Sequence, residues 1–229
     1  MAKKIYLSPS TQESNLFVGG VTEEVNSNAV CDILQKALSE KYGFEIRRNR
    51  PDMNLTQMIN DSNNFNPDIH VAIHSNAGGG RGCEVYYYRV DGKVSNSQQL
   101  SQYIYNELSP LTPSSDRGLK DGRAANLGEI VRTTACATLV EMAFHDNVED
   151  AAWMLSNRQA CSTALEKGIC KYFGVAYKPD VVPQPTPQPT TDVLYRVQVG
   201  AFAEKANADK MLTRLQAAGF NGFITTVKK

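Results

Sequence analysis

Three segments carry side chains able to run hydrolytic chemistry. The first, Ile69-His70-Val71-Ala72-Ile73-His74-Ser75-Asn76-Ala77, is an apolar run that ends in polar residues. A histidine at the end of a buried strand stands at the sheet edge where ligands of α/β proteins bind. In isolation, a structural histidine satisfied by a hydrogen bond is the more ordinary reading. The second is Glu23-Glu24, at the start of an expected helix, where the helix dipole favours carboxylates whatever their use. The third is Leu139-Val140-Glu141-Met142-Ala143-Phe144-His145-Asp146-Asn147. Glu141 interrupts an apolar strand, and a buried carboxylate is costly unless paired, hydrogen-bonded, near a metal or protonated. Glu, His, Glu and His near strand ends and helix starts suit metal-assisted hydrolysis. That chemistry needs N and O donors, one open coordination position and a carboxylate to move a proton.

The elements that must position these residues alternate along the chain. Lys4 to Leu7 reads as a strand, followed by a Ser-Pro-Ser turn. Thr22 to Ser39 has apolar residues Val25, Val30, Ile33, Leu34 and Leu38 at helical spacing, with Thr22 as its cap. Phe44 to Arg47 is a short strand, Leu55 to Asn64 a helix, and Asp68 to His74 a buried strand. Gly82 to Arg89 is an aromatic-rich strand, Ser97 to Ser109 a helix, Ala137 to Ala143 an apolar strand. Val148 to Phe173 is helical, in one piece or two. The alternation predicts an α/β fold, a mostly parallel sheet flanked by helices on both faces. Tyr177 to Asp192, YKPDVVPQPTPQPTTD, reads as a semi-rigid polyproline spacer. The expected organisation is thus a catalytic domain over 1–176, a Pro/Thr/Gln-rich linker over 177–192 and a small module over 193–229.

Composition narrows the function classes. Lys+Arg and Asp+Glu both number 24 in 229 residues, so no basic excess points to nucleic acid. No apolar run of about 18 residues suggests a membrane span. The start, Met1-Ala2-Lys3-Lys4-Ile5-Tyr6-Leu7, has too short an apolar stretch for a signal peptide, so synthesis in the cytoplasm without an N-terminal export signal is expected. Five cysteines without a CxxC pair read as small buried residues in a reducing compartment. The competing reading is a cysteine nucleophile at Cys83, beside Glu84.

The stretch IYLSPS…TEEVNSNAV…DIHVAIHSNAGGGRGCEVYYY…DRGLK…ATLVEMAFHDNVEDAAW resembles the zinc-dependent N-acetylmuramoyl-L-alanine amidases over nearly all of residues 4–175. The most specific pieces are Glu24-x-x-x-Asn28, IHSNA at 73–77, GCEVYYY and VEMAF at 140–144. The resemblance implies cleavage of the amide between N-acetylmuramic acid and the L-alanine of the stem peptide. It implies Zn2+ as cofactor, Glu24 and His74 as ligands, and Glu141 as general base. The family's first histidine ligand, in a pattern like LDPGHGG, falls on Thr11 in Leu7-Ser8-Pro9-Ser10-Thr11-Gln12.

Three readings stand for the missing ligand. His145 follows the Glu141 strand into a loop at the same sheet edge and is the expected third donor. Thr11 or Gln12 holding the place, or a weak or absent metal site, are the alternatives. His70 lies roughly 13 Å along the strand from His74, too far to share an ion, and reads as structural. Asn76, Arg117 and Lys120 are candidate substrate contacts; a turn residue and a solvated loop are their ordinary roles.

The tail, Tyr195-Arg196-Val197-Gln198-Val199-Gly200-Ala201-Phe202 with a helix over Glu204 to Ala218 and then Phe223-Ile224-Thr225, resembles the first half of a SPOR domain. That resemblance implies a β-α-β module that binds peptidoglycan, with a preference for glycan strands lacking stem peptides. A single β-α-β unit of this size is marginal alone, so homodimerisation through this half-module or docking on the catalytic domain is expected. The function read here is that of a peptidoglycan amidase acting as an endolysin. A host autolysin or spore-lysis hydrolase, and a wall-binding protein with a decayed metal site, are the alternatives.

Overall fold

The computed structural model describes residues 2–114, 117–180, 197–217 and 222–226. The chain divides into two compact units, Met1–Pro179 and Asp180–Lys229.

The first unit is built on strands β1 (Lys4–Pro9), β2 (Glu45–Arg48), β3 (Ile69–Asn76), β4 (Glu84–Tyr87), β5 (Leu119–Asp121) and β6 (Cys136–Phe144). They form one sheet in the order β2-β1-β3-β6-β4-β5. All neighbours pair parallel except β4 and β6, which run antiparallel. A mostly parallel sheet must be covered on both faces, and its central strands are accordingly near-continuous apolar runs.

The helices of this unit are α1 (Glu23–Tyr42), α2 (Leu55–Phe65), α3 (Asn96–Leu108), α4 (Gly128–Val131), α5 (Val148–Ser156) and α6 (Arg158–Phe173). Local chemistry sets their ends. Thr22 caps α1 by accepting from the Val25 N–H, as its position predicts. Asn54 and Gln57 form a capping box on α2. The helical stretch after β6 breaks at Asn157, giving two helices. Neither α4 nor β5 shows a periodic signal in the sequence; both are too short for one.

The two faces of the sheet differ. On one, Ile5, Leu7, Val71, Ile73, Val85 and Val140 pack against Val30, Leu34 and Leu38 of α1, Leu100 and Ile104 of α3 and Leu165 and Ile169 of α6, forming the main core. On the other, Ala72, Ala137 and Leu139 meet Ile130 of α4 in a small cluster. His70 and His74 lie two residues either side of Ala72, so strand alternation puts them on this thinner face.

The second unit contains α7 (Lys205–Ala217), matching the helix expected over 204–218 to within a residue at each end. Residues 197–204 and 222–226, where flanking strands are expected, carry no strand pairing among the described residues. Most of the expected linker, 181–192, and the start of the expected first strand, Tyr195 and Arg196, lie outside the described residues.

Candidate active site

Strand register lines up three ionisable residues. His74 on β3 pairs with Glu141 on β6, and Glu141 pairs with Glu84 on β4. The row lies near the carboxyl end of β3, where loops and helix starts can reach it.

Two carboxylates grip the ring of His74 from opposite edges. Glu23, in the first turn of α1 and 1% exposed, places Oε1 3.1 Å from His74 Nδ1. The same oxygen accepts the Ser75 N–H at 3.2 Å, and Oε2 accepts from Asn15 Nδ2 at 2.8 Å. Asn15 also donates to Gln12 Oε1 at 2.7 Å. At the other edge, Glu129 on α4 places Oε1 3.2 Å from His74 Nε2. Glu129 Oε2 lies 2.8 Å from Nε2 of His70, whose Nδ1 is 2.8 Å from Ser62 Oγ on α2. The His70 ring is fully buried and stacks on Tyr6 at 5.2 Å between centroids.

Glu84 is neutralised locally. Arg117 Nε donates to it at 2.6 Å, Asn76 Nδ2 at 2.6 Å and Tyr86 OH at 2.8 Å, and Lys120 Nζ joins them. Burial would raise its carboxyl, but these bonds hold it below the usual carboxylate range. Glu141 has no such support. Its Oε2 is buried without a hydrogen-bond partner. Burial first, then repulsion from Glu23, Glu84 and Glu129, outweigh the pull of His74 and push its pKa up to about 7. Burial disfavours a charged His74, yet the bonds to Glu129 and Glu23 raise its pKa well above the ordinary imidazole value. The same contacts override burial to lower Glu23 and Glu129.

With Glu84 balanced by Arg117 and Lys120, three carboxylates remain around one doubly gripped imidazole. The cluster is short of positive charge. Glu23 Oε1 and His74 Nδ1, 3.1 Å apart, are spaced as two donors of one ion at about 2.0–2.1 Å each would be. The unsatisfied oxygen of Glu141 nearby completes the donor chemistry of a divalent cation site with a proton acceptor beside it. These residues fit a bound metal. Among the described residues, no third His, Cys, Asp or Glu joins the pair in a metal-holding group.

Several placements differ from expectation. The carboxylate that meets His74 is Glu23; Glu24 is half-buried and makes no hydrogen bond to His74 among the described residues. The reason is helical phase: Glu23 shares a stripe with Asn26, Ser27, Val30, Leu34 and Leu38, all buried against the sheet. His145 does not reach the pair. Its Nδ1 lies 3.1 Å from both the Ser75 Oγ and the Ser75 carbonyl oxygen, and its ring stacks on Phe17 at 5.7 Å. Its backbone is held at both ends, by the Asn76 carbonyl and the Val18 N–H, and its ring is engaged by Ser75 and Phe17. Thr11 is half-buried just past β1, and Gln12 is linked to the site through Asn15. Asn76, Arg117 and Lys120 come together, all on Glu84. Cys83 is fully buried in the main core, away from the polar row, which leaves a thiol nucleophile no access to substrate.

Two site residues escape the sequence reading, Glu84 and Glu129, while Glu23 is named there with Glu24 but the ligand role falls on Glu24. Glu84 had a usable signal, a charge inside an aromatic strand. Glu129 had none, since its partners His70 and His74 lie 59 and 55 residues earlier in the chain.

Comparison with known proteins agrees with this architecture. Residues 11–171 match the family model for N-acetylmuramoyl-L-alanine amidase, and residues 176–229 match that for the SPOR domain. The chain is 30% identical over 174 residues to the N-acetylmuramoyl-L-alanine amidase CwlM of Bacillus licheniformis, covering 75% of this chain but only 62% of that relative. It is 27% identical over 229 residues to a sporulation-specific N-acetylmuramoyl-L-alanine amidase of Bacillus subtilis, covering 96% of this chain and 84% of the relative. The catalytic domain of CwlV, an N-acetylmuramoyl-L-alanine amidase of Bacillus (Paenibacillus) polymyxa, shares the fold. It superposes with a TM-score of 0.67 at 22% identity, over 76% of this chain and 99% of that one.

Proposed function

Because the chain belongs to the N-acetylmuramoyl-L-alanine amidase family, we propose that it hydrolyses the amide joining N-acetylmuramic acid to the L-alanine of the peptidoglycan stem peptide. The observation that carries this reading is the buried, unpartnered Oε2 of Glu141 beside the Glu23–His74 pair. The family is generally zinc-dependent, and Glu23 and His74 are the residues that would hold Zn2+ here. When bound, zinc polarises the scissile carbonyl and makes water a stronger nucleophile at neutral pH.

The chain's own residues supply the rest. Glu141 accepts the proton of the attacking water and returns it to the leaving amine of L-alanine. Without metal its carboxyl is pushed up to about 7, and the positive charge of a bound ion would favour the ionised form that accepts the proton. Glu84, with Arg117 and Lys120, fixes the next position in the row and keeps two cations beside the otherwise acidic cluster. Two protein donors are fewer than the three of most catalytic zinc sites, so comparatively weak zinc affinity is expected.

The second unit, which matches the SPOR family, holds the enzyme on the wall. Its exposed apolar residues Val197, Val199 and Phe202 suit contact with sugar faces.

Glu141→Gln tests the reading. The amide cannot take a proton, so the rate of wall hydrolysis falls about 10²–10⁴-fold while zinc content is unchanged. A variant with near wild-type rate would leave Glu141 with a structural role alone.

A further inference from the structure

The grip on His74 from two sides defines which ring nitrogen is available, and Glu129 decides it. An ionised carboxylate only accepts hydrogen bonds. Glu129 offers Oε2 to His70 and Oε1 to His74, so both Nε2 atoms must carry protons toward it. His70 then uses Nδ1 as an acceptor, and the Ser62 hydroxyl at 2.8 Å is its donor. Every group in the chain Ser62–His70–Glu129–His74 is satisfied in this single arrangement. At the far edge, Nδ1 of His74 faces Oε1 of Glu23, an atom already accepting the Ser75 N–H. Without metal a second ring proton fills this 3.1 Å gap as a hydrogen bond from Nδ1 to Glu23, and an ion held by Nδ1 and Glu23 would take the place of that proton.

We infer that Glu129 is a positioning residue: it holds the Nε2–H of His74, turns Nδ1 toward Glu23 as the metal-binding atom, and is itself locked by His70. This rests on the zinc reading above and adds the atom that binds and the residue that selects it. Metal-ligating histidines commonly donate their second ring N–H to a carboxylate, which fixes the tautomer and raises the basicity of the bound nitrogen. The placement of Glu129 is well supported. Its neighbour Ile130 packs against the sheet with Ala72, Ala137 and Leu139, and the Thr133 hydroxyl donates to the Glu129 carbonyl. His70, fully buried on a strand that carries no other role for it, is explained by the same device.

The test uses the full-length chain labelled with 15N in its histidine rings. In the zinc-loaded wild type, nitrogen NMR is expected to report His74 protonated at Nε2 and metal-bound at Nδ1. Metal on Nε2, or a proton on Nδ1, overturns the inference. Glu129→Gln offers one acceptor and one donor in place of two acceptors, so one of the two histidines must change tautomer. Its zinc dissociation constant, read by competition with a chromophoric chelator, is expected to rise about 10- to 100-fold. A folded variant that binds zinc as tightly as wild type overturns the inference as well. Should the variant not fold, the wild-type spectrum alone decides. Wild-type protein that takes up no zinc contradicts the metal reading itself and the inference with it, whereas zinc bound through Nε2 removes only the role of Glu129.

Discussion

Adjacent glutamates at the start of α1 allow a sharp test of the site, because only Glu23 touches it. Glu23→Ala removes the carboxylate that meets His74 Nδ1, the Ser75 N–H and Asn15. Asn15 keeps Gln12 as an acceptor, but the Ser75 N–H, on a residue 4% exposed, loses its side-chain partner. Leaving a buried donor unsatisfied costs about 1–3 kcal/mol. The buried ion pair with His74 is lost too, which costs about 3–5 kcal/mol; relief of the repulsion of Glu141 by Glu23 offsets part of this, so the metal-free variant melts clearly lower. The diagnostic effect is on metal linkage. Zinc at 100 times its dissociation constant stabilises a single-site protein by about 2.7 kcal/mol. For a protein of this size that is a rise in Tm of about 5–11 °C. Thermal melts with and without zinc are expected to show this rise for wild type and for Glu24→Ala, and to show none for Glu23→Ala. Glu24→Ala by itself stays within about 0.5 kcal/mol of wild type. A zinc-stabilised Glu23→Ala, or a Glu24→Ala that no longer responds to zinc, would refute the assignment drawn from helical phase.

Two further outcomes are expected. The Glu84 carboxyl titrates lower in the folded than in the unfolded chain. Its stabilising contribution is therefore complete above the unfolded value of about 4.3 and fades as pH falls toward the folded value. Urea midpoints measured from pH 6 to pH 3 should show Glu84→Gln less stable than wild type at the upper end, with the gap closing on acidification; a gap independent of pH contradicts the charge-based account. A chain ending at Pro179 should cleave soluble muropeptides at the full-length rate yet sediment less with intact walls, and equal sedimentation would remove the binding role of the second unit.

Much of this was legible in the sequence because it follows from short-range pattern. The β3 run from Ile69 has the apolar continuity of a central parallel strand, and Glu141 stands out within β6 because a charge there needs a reason. Helical phase was legible in Val30, Leu34 and Leu38, which share the buried stripe of Glu23, but the pattern Glu24-x-x-x-Asn28 put the ligand on the neighbouring residue; Val25, also counted among the apolar positions, is 55% exposed. Pairings across the chain left no local trace. Glu129 sits in a four-residue helix with no periodicity, and its value comes only from where Ile130 anchors that helix on the sheet. Arg117 and Lys120 look like surface cations able to meet a peptide carboxylate until Glu84 is seen to occupy both. His145 was placed near the right sheet edge, but the direction of a loop side chain depends on contacts such as Phe17 and Ser75 that spacing does not encode.

The most direct measurement is the chemistry of the cut. Purified peptidoglycan digested with the wild-type chain should gain free amino termini that are L-alanine, with no increase in reducing sugar ends, while Glu141→Gln leaves both near the undigested level. New reducing ends, or new amino termini belonging to any other residue, would contradict the assignment of the amide between N-acetylmuramic acid and L-alanine as the bond this site breaks.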